Sequence, residues 1–168
     1  MNRIIKKIFF IIGIVLFIIT IVSISFIMKL FRVRVTSGSM IPTIKINEQL
    51  LVKKVSNPQD ISTGSIIVFL KDKELLVKRL IGKPGDIVDI REGTVFINGE
   101  ELNEEYVKDL DNYSGSFFLG SDDYFVLGDN RSNSYDARYW EDTFIHSKDI
   151  KGIIVAHLYP IFRLEENK

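Results

Sequence analysis

The sequence predicts a mainly β fold: an antiparallel β-sheet domain with a small inserted β lobe, preceded by one N-terminal transmembrane helix. Three observations predict it. Ile8 to Met28 is a run of 21 residues without a charge. Beyond position 30 the apolar residues alternate or cluster in runs of strand length, and no stretch carries a capped 3.6-residue stripe. A later stretch, residues 89–123, combines an Asn-Gly hairpin signal with an acidic, Asn/Asp/Gly/Ser-rich tail and reads as an insertion.

The first seven residues form a short tail with Arg3, Lys6 and Lys7. Residues 8–28 are the anchor, because a helix of that length spans a hydrocarbon core of about 30 Å. A cleaved secretory signal is the competing reading. Its apolar core is shorter and ends in a small-x-small site, of which Ser23-Ile24-Ser25 is a poor version, so length and flanks favour an uncleaved anchor. Three basic residues flank each side, and the charge count leaves sidedness open.

Residues 29–88 and 124–168 carry the main sheet. Arg32 to Thr36 alternates, and Leu50–Val55, Ser65–Leu70, Leu75–Ile81 and Ile150–Leu158 are further strand-length runs. Turn clusters separate them at 56–60, 63–64, 71–73, 82–86 and 128–130. Within the insertion, Asn98-Gly99 marks a two-residue hairpin, and the main sheet resumes at Tyr124-Phe125-Val126-Leu127.

Composition removes several function classes. Three of the 22 basic residues and none of the 22 acids precede Lys29, which leaves 19 against 22, so no electrostatic case exists for nucleic acid. The absence of cysteine removes disulfides, thiolate metal sites and a cysteine nucleophile. No metal and no cofactor is expected.

Three stretches could carry chemistry. Ser37-Gly38-Ser39-Met40 lies just beyond the anchor. By itself it reads as a turn, and as a reactive serine it needs a base. His157, inside Ile153 to Leu158, reads as a structural histidine, and His146 has no acid in evident position to orient it. In Leu75 to Ile81, alternation puts Lys78 with Leu76 and Leu80, and Arg79 with Val77 and Ile81. Arg79 cannot lose its proton, so of the two only Lys78 can act as a base. An edge-strand or snorkelling lysine is the other reading. Gly128 to Trp140 is a polar loop with an Asp136/Arg138 pair, either a closed structural loop or one that orients a neutral lysine.

In order behind one anchor, these stretches resemble the type I signal peptidases, membrane-bound Ser/Lys endopeptidases that remove signal peptides from exported proteins. Thr36 to Thr43 is similar to the family's serine box, Val77 to Asp86 to its lysine box, Gly128 to Trp140 to its third box, and Gly64 to Phe69 to a structural strand box. One anchor and a short insertion resemble the Gram-positive bacterial form. The resemblance implies Ser39 as nucleophile, Lys78 as general base, Ser37 with the Ser39 N–H as oxyanion hole, and Ser134 orienting the lysine. It implies structural roles for Gly128, Asp129, Asn130, Asp136 and Arg138, and pocket positions for Val35, Met40, Ile44 and Val77. Signal peptides of secreted preproteins would be the substrates and membrane lipid the anchor's partner. The protein would lie in the cell membrane as a single-pass chain, N-terminus cytoplasmic and catalytic domain outside. A maturation peptidase of the same class and an inactive peptide-binding β domain are the alternatives. Asn47-Glu48, Ala137 and Glu141 depart from the family, which commonly has Gly-Asp or Gly-Glu, serine and glycine there.

Overall fold

The structure, a computed structural model, describes residues 3–27, 29–160 and 163–165. Residues 1–2 of the expected tail, Met28 at the end of the expected anchor, and residues 161–162 and 166–168 of the expected main domain lie outside it. The chain divides into two compact units, one ending at Phe31 and one beginning at Arg32.

The first unit is built on helix α1 (Arg3–Ile27), 25 residues long. Side chains 7–21 are described and exposed. They amount to about 22 Å of helix at 1.5 Å per residue, and among the described residues no helix is long and apolar enough to cross a membrane. Ser23 and Ser25 fall where side chains are not described.

From Leu30 onward the chain forms β1 (Leu30–Arg34), β2 (Gln49–Lys54), β3 (Ile66–Lys71), β4 (Glu74–Gly82), β5 (Ile87–Arg91), β6 (Thr94–Ile97), β7 (Glu100–Glu101), β8 (Gly115–Phe118), β9 (Asp123–Leu127), β10 (Ile145–His146), β11 (Ile150–Tyr159) and β12 (Arg163–Leu164). The main-sheet runs expected from sequence appear as β1, β2, β3, β4, β9 and β11, each within two residues of its expected ends. The main sheet runs β1-β2-β11-β3-β4-β9-β10, with β12 paired to β11. The second runs β7-β6-β5-β8 and begins at Ile87, two residues before the expected insertion. Asn98 (φ 53°) and Gly99 (φ 87°) turn the β6–β7 hairpin, the left-handed pair that such a loop needs.

The insertion is no separate body. Val88, Ile90 and Val95 of the second sheet share one core with Phe69, Leu80, Phe125 and Val126 of the first, because each sheet has one apolar face to bury. Strand β4 pairs with β3 from Glu74 to Arg79, and with β9 only from Arg79 onward. That leaves the edge from Glu74 to Lys78 unpaired by β9, and the charged middle of the strand falls where the pairing changes.

Candidate active site

The serine segment leaves β1 at Arg34 and is held by backbone bonds. Val35 N–H donates to the Glu48 carbonyl (2.9 Å), Asn47 N–H to Val35 (2.8 Å) and Ile44 N–H to Met40 (2.8 Å). Asn47 sits at φ 72°, a left-handed position where asparagine is tolerated and glycine is easiest, which accounts for the departure at that position. Gly38 opens a turn, as the sequence leads one to expect, its carbonyl accepting from the Ile41 N–H (3.2 Å); it is not at positive φ, and a Cβ there would meet only flexible isoleucine side chains.

The loop after β9 grips this segment. Asn130 donates from its backbone N–H to the Ser39 carbonyl and from Nδ2 to the Gly38 carbonyl, each at 3.0 Å. A trans peptide is planar, so fixing the Gly38 carbonyl also fixes the direction of the Ser39 N–H on the opposite side. Thr43 Oγ1 donates to Asp129 Oδ2 (2.5 Å), and Asp129 takes two bonds from Arg79, Nε at 2.8 Å and Nη2 at 2.6 Å. Arg79 also donates to the Gly64 carbonyl (2.6 Å). Arg79 thus ties β4 to the loop, and the loop to the serine segment.

Gly128 is where these pieces meet. Its N–H donates to Asp136 (2.9 Å), and a Cβ on it would sit 2.5 Å from the Ser39 carbonyl oxygen and closer still to Ser134 Oγ. Asp136 holds Arg138 through Nε at 2.8 Å and Nη2 at 2.9 Å, the pair expected from sequence. Ala137 is buried in the core, and Glu141 is exposed without positive φ, so neither departure strains the loop.

Lys78 is 4% exposed, and its Nζ donates to Ser134 Oγ at 2.9 Å. Burial, the largest cause, pushes this ammonium down from its ordinary 10.5 to about 8; Arg138 acts the same way, while Asp136 and Asp129 oppose it. Ser37 Oγ and Ser39 Oγ lie 3.4 Å apart. Residues 34–40, the β4 edge 74–78, Asn133, Tyr135 and Trp140 line one cavity of about 530 Å³. Ser37, Ser39, Val35, Met40, Lys78 and Val77 all border it, so two serine hydroxyls, a lysine whose pKa burial lowers and apolar walls share one space. Ile44 is fully buried and is not among the lining residues.

The histidines lie elsewhere. His157 is buried, with Nδ1 2.6 Å from Glu48 and Nε2 3.0 Å from Glu165. His146, expected to lack an acid, has Asp123 at 3.5 Å and Asp122 at 4.0 Å, because β10 pairs with β9 beside them. Neither lines the cavity. Sequence reasoning missed Thr43, Glu104, Tyr106 and Asp111, which contact the arginine-rich scaffold. The available signal was a set of buried arginines in need of acids.

Comparison with known proteins follows the same lines. The family described as "Signal peptidase, peptidase S26" matches residues 1–159. A signal peptidase I of Leptolyngbya laminosa is 38% identical over 146 residues, 79% of this chain and 70% of that protein. Signal peptidase I P of Bacillus subtilis subsp. natto is 38% identical over 154 residues, 83% of each chain. A crystal structure of a signal peptidase I from Enterococcus faecalis V583 is 33% identical, covers 55% of this chain and 94% of its own, and has a TM-score of 0.47.

Proposed function

This chain belongs to the signal peptidase family, peptidase S26, and on that premise we propose that it is a membrane-anchored serine endopeptidase that removes signal peptides from exported preproteins with a Ser39/Lys78 dyad. The observation that carries the dyad is Lys78, buried, held by Ser134 and pushed down to about 8 beside the same cavity as Ser39. A lysine that is partly neutral at physiological pH can take a proton, which an ordinary lysine does poorly.

The chemistry follows from these positions. Ser39 Oγ attacks the carbonyl carbon of the scissile bond while Lys78 Nζ takes its proton. The new oxyanion is met by the Ser39 N–H and the Ser37 hydroxyl, donors directed at charge that develops only in the transition state. Collapse breaks the C–N bond, and Lys78 returns the proton to the leaving amine. Lys78 then removes a proton from water, which attacks the ester and releases Ser39 as alcohol. Among the described residues Ser39 and Lys78 share no hydrogen bond, and such contacts commonly tighten only with substrate bound.

The unpaired β4 edge supports an extended substrate that binds as an added strand, with alternate side chains directed at the walls formed by Val35, Met40 and Val77. The 21 uncharged residues from Ile8 to Met28 support a single-pass anchor, and membership of the signal peptidase family supports its orientation, N-terminus cytoplasmic and catalytic domain outside. No nucleic acid takes part.

The test is cleavage of several preproteins by the full-length protein in detergent or vesicles, with Ser39→Ala and Lys78→Ala alongside. Wild type should cleave at the signal junction, and both variants should be folded and inactive. Full activity in Lys78→Ala would overturn the lysine base. A serine-reactive inhibitor that leaves Ser39 unmodified would turn the reading toward an inactive binding domain.

A further inference from the structure

The loop that holds Ser134 against Lys78 contains two deeply buried arginines, with side chains of Arg131 and Arg138 only 2% and 1% exposed. A guanidinium stays charged in a protein, so each needs a buried counter-charge. Arg138 has Asp136 within the loop. For Arg131 the counter-charge comes from outside it. Its Nη1 and Nη2 both donate to Glu104 of the inserted segment, Nη1 at 2.9 Å to Oε2 and Nη2 to Oε1, while its Nε donates to the Gly128 carbonyl at 3.1 Å.

Glu104 does not act alone. Tyr106 Oη donates to Glu104 Oε1 (2.6 Å), and the Tyr106 ring stacks on the Arg79 guanidinium with 3.8 Å to the ring centroid. Asp111 pairs with Arg138, and Tyr113 Oη donates to the Arg138 carbonyl (3.2 Å). The segment between Glu104 and Tyr113 therefore reaches all three buried guanidiniums that brace the site. Both its ends are tied to the second sheet: Leu102 N–H donates to Val95 (2.9 Å), and Gly93 N–H to Tyr113 (2.9 Å).

We propose that residues 104–113 form a strap that completes the active site, with Glu104 as a positioning residue that acts through Arg131 to keep Ser134 on Lys78. The link is short. Arg131 holds the Gly128 carbonyl, and a Cβ on Gly128 would clash with both Ser134 Oγ and the Ser39 carbonyl, so the loop has little slack there. Neutralising Glu104 leaves a charged guanidinium buried without its acid, and the loop must open to hydrate it. Ser134 moves with the loop. Glu104 is not on the cavity wall, so substrate binding should be spared.

This inference rests on the Ser39/Lys78 reading, and the experiment separates the two failures. Full-length wild type, Glu104→Gln, Arg131→Met and the double variant are compared for preprotein cleavage, with folding followed by Trp140 fluorescence. Wild-type inactivity would overturn the function, not the strap alone. With wild type active, Glu104→Gln should lose about 10²-fold in kcat, the scale of an ångström of misplacement, with KM within about twofold. In the Arg131→Met background, Glu104→Gln should cost nothing further, because the residue acts through the arginine. An unchanged kcat, a loss confined to KM, or losses that multiply in the double variant would overturn the proposal. Should Glu104→Gln fail to fold, Tyr106→Phe decides. It keeps the ring over Arg79 and removes only the hydroxyl that holds Glu104, so kcat should still fall several-fold; an unchanged kcat there overturns the strap.

Discussion

Lys78→Met should make the protein inactive and more stable at neutral pH, a combination that the proposed role of Lys78 as base and its lowered pKa together predict. The unfolded chain holds the lysine proton with a pKa near 10.5, and the folded chain releases it near 8. The unfolded state therefore binds more protons between those values, and stability rises with pH through that window. Below about pH 8 both states are charged and the fold bears the whole cost; above 10.5 the cost is gone. The gap of about 2.5 units at about 1.4 kcal/mol each amounts to about 3 kcal/mol at pH 7. Methionine escapes that cost but cannot donate to Ser134, which removes about 1 kcal/mol. The expected net gain is about 2 kcal/mol at pH 7, roughly 4–8 °C in Tm for a unit of this size.

Denaturant unfolding of the full-length protein in micelles, read by Trp140 fluorescence, measures this directly. The difference between variant and wild type should be largest at pH 7, shrink above pH 8 and change sign near pH 10, and well above 10.5 only the lost hydrogen bond remains. A variant less stable than wild type at pH 7, or a difference that does not change with pH, would refute the claim that Lys78 is strained by burial.

The same shift predicts the activity profile. With Lys78 as base, kcat/KM should rise about tenfold per pH unit from pH 6 and level off near 8, measured with a short signal-junction peptide; a flat profile from pH 6 to 9 contradicts a lysine base. Asn130→Asp exchanges the amide that holds the Gly38 carbonyl for a group that cannot donate. With the Ser39 N–H no longer fixed, kcat should fall about 10²-fold or more at unchanged KM, the scale of a lost oxyanion donor. Equal losses in kcat and affinity would mean that Asn130 serves only to hold the loop.

What could be read from the sequence was local, and what escaped was the set of side chains that meet across the fold. Strands appeared where expected because period-two alternation and turn residues are written within a few neighbouring positions, as at Gly93 to Glu100. The serine segment, Lys78 and the 128–140 loop were each legible as short contiguous stretches. Their braces were not. Thr43 meets Asp129 across 86 positions, Arg79 meets Asp129 across 50, and Glu104 meets Arg131 across 27, and no local pattern encodes such pairings. His146 shows the same blindness, since its acids, Asp122 and Asp123, become neighbours only when β10 pairs with β9.

A physical rule could have narrowed the search. Arg131 and Arg138 sit among residues that close a polar loop, and a buried guanidinium demands an acid. Asp136 answers for Arg138, but Arg131 has six acids upstream between Glu100 and Asp111 to choose from. Topology makes that choice. Leu102 leaves the short β7 strand bonded to Val95, and Tyr113 returns to Gly93, so the segment between them meets the 128–140 loop at two points. Glu104 and Asp111, near the two ends of that crossing, meet Arg131 and Arg138, while Glu105 and Asp109 between them make no bond to either arginine among the described residues. The insertion, which looked least constrained in sequence, is constrained at those positions where its charges complete the site.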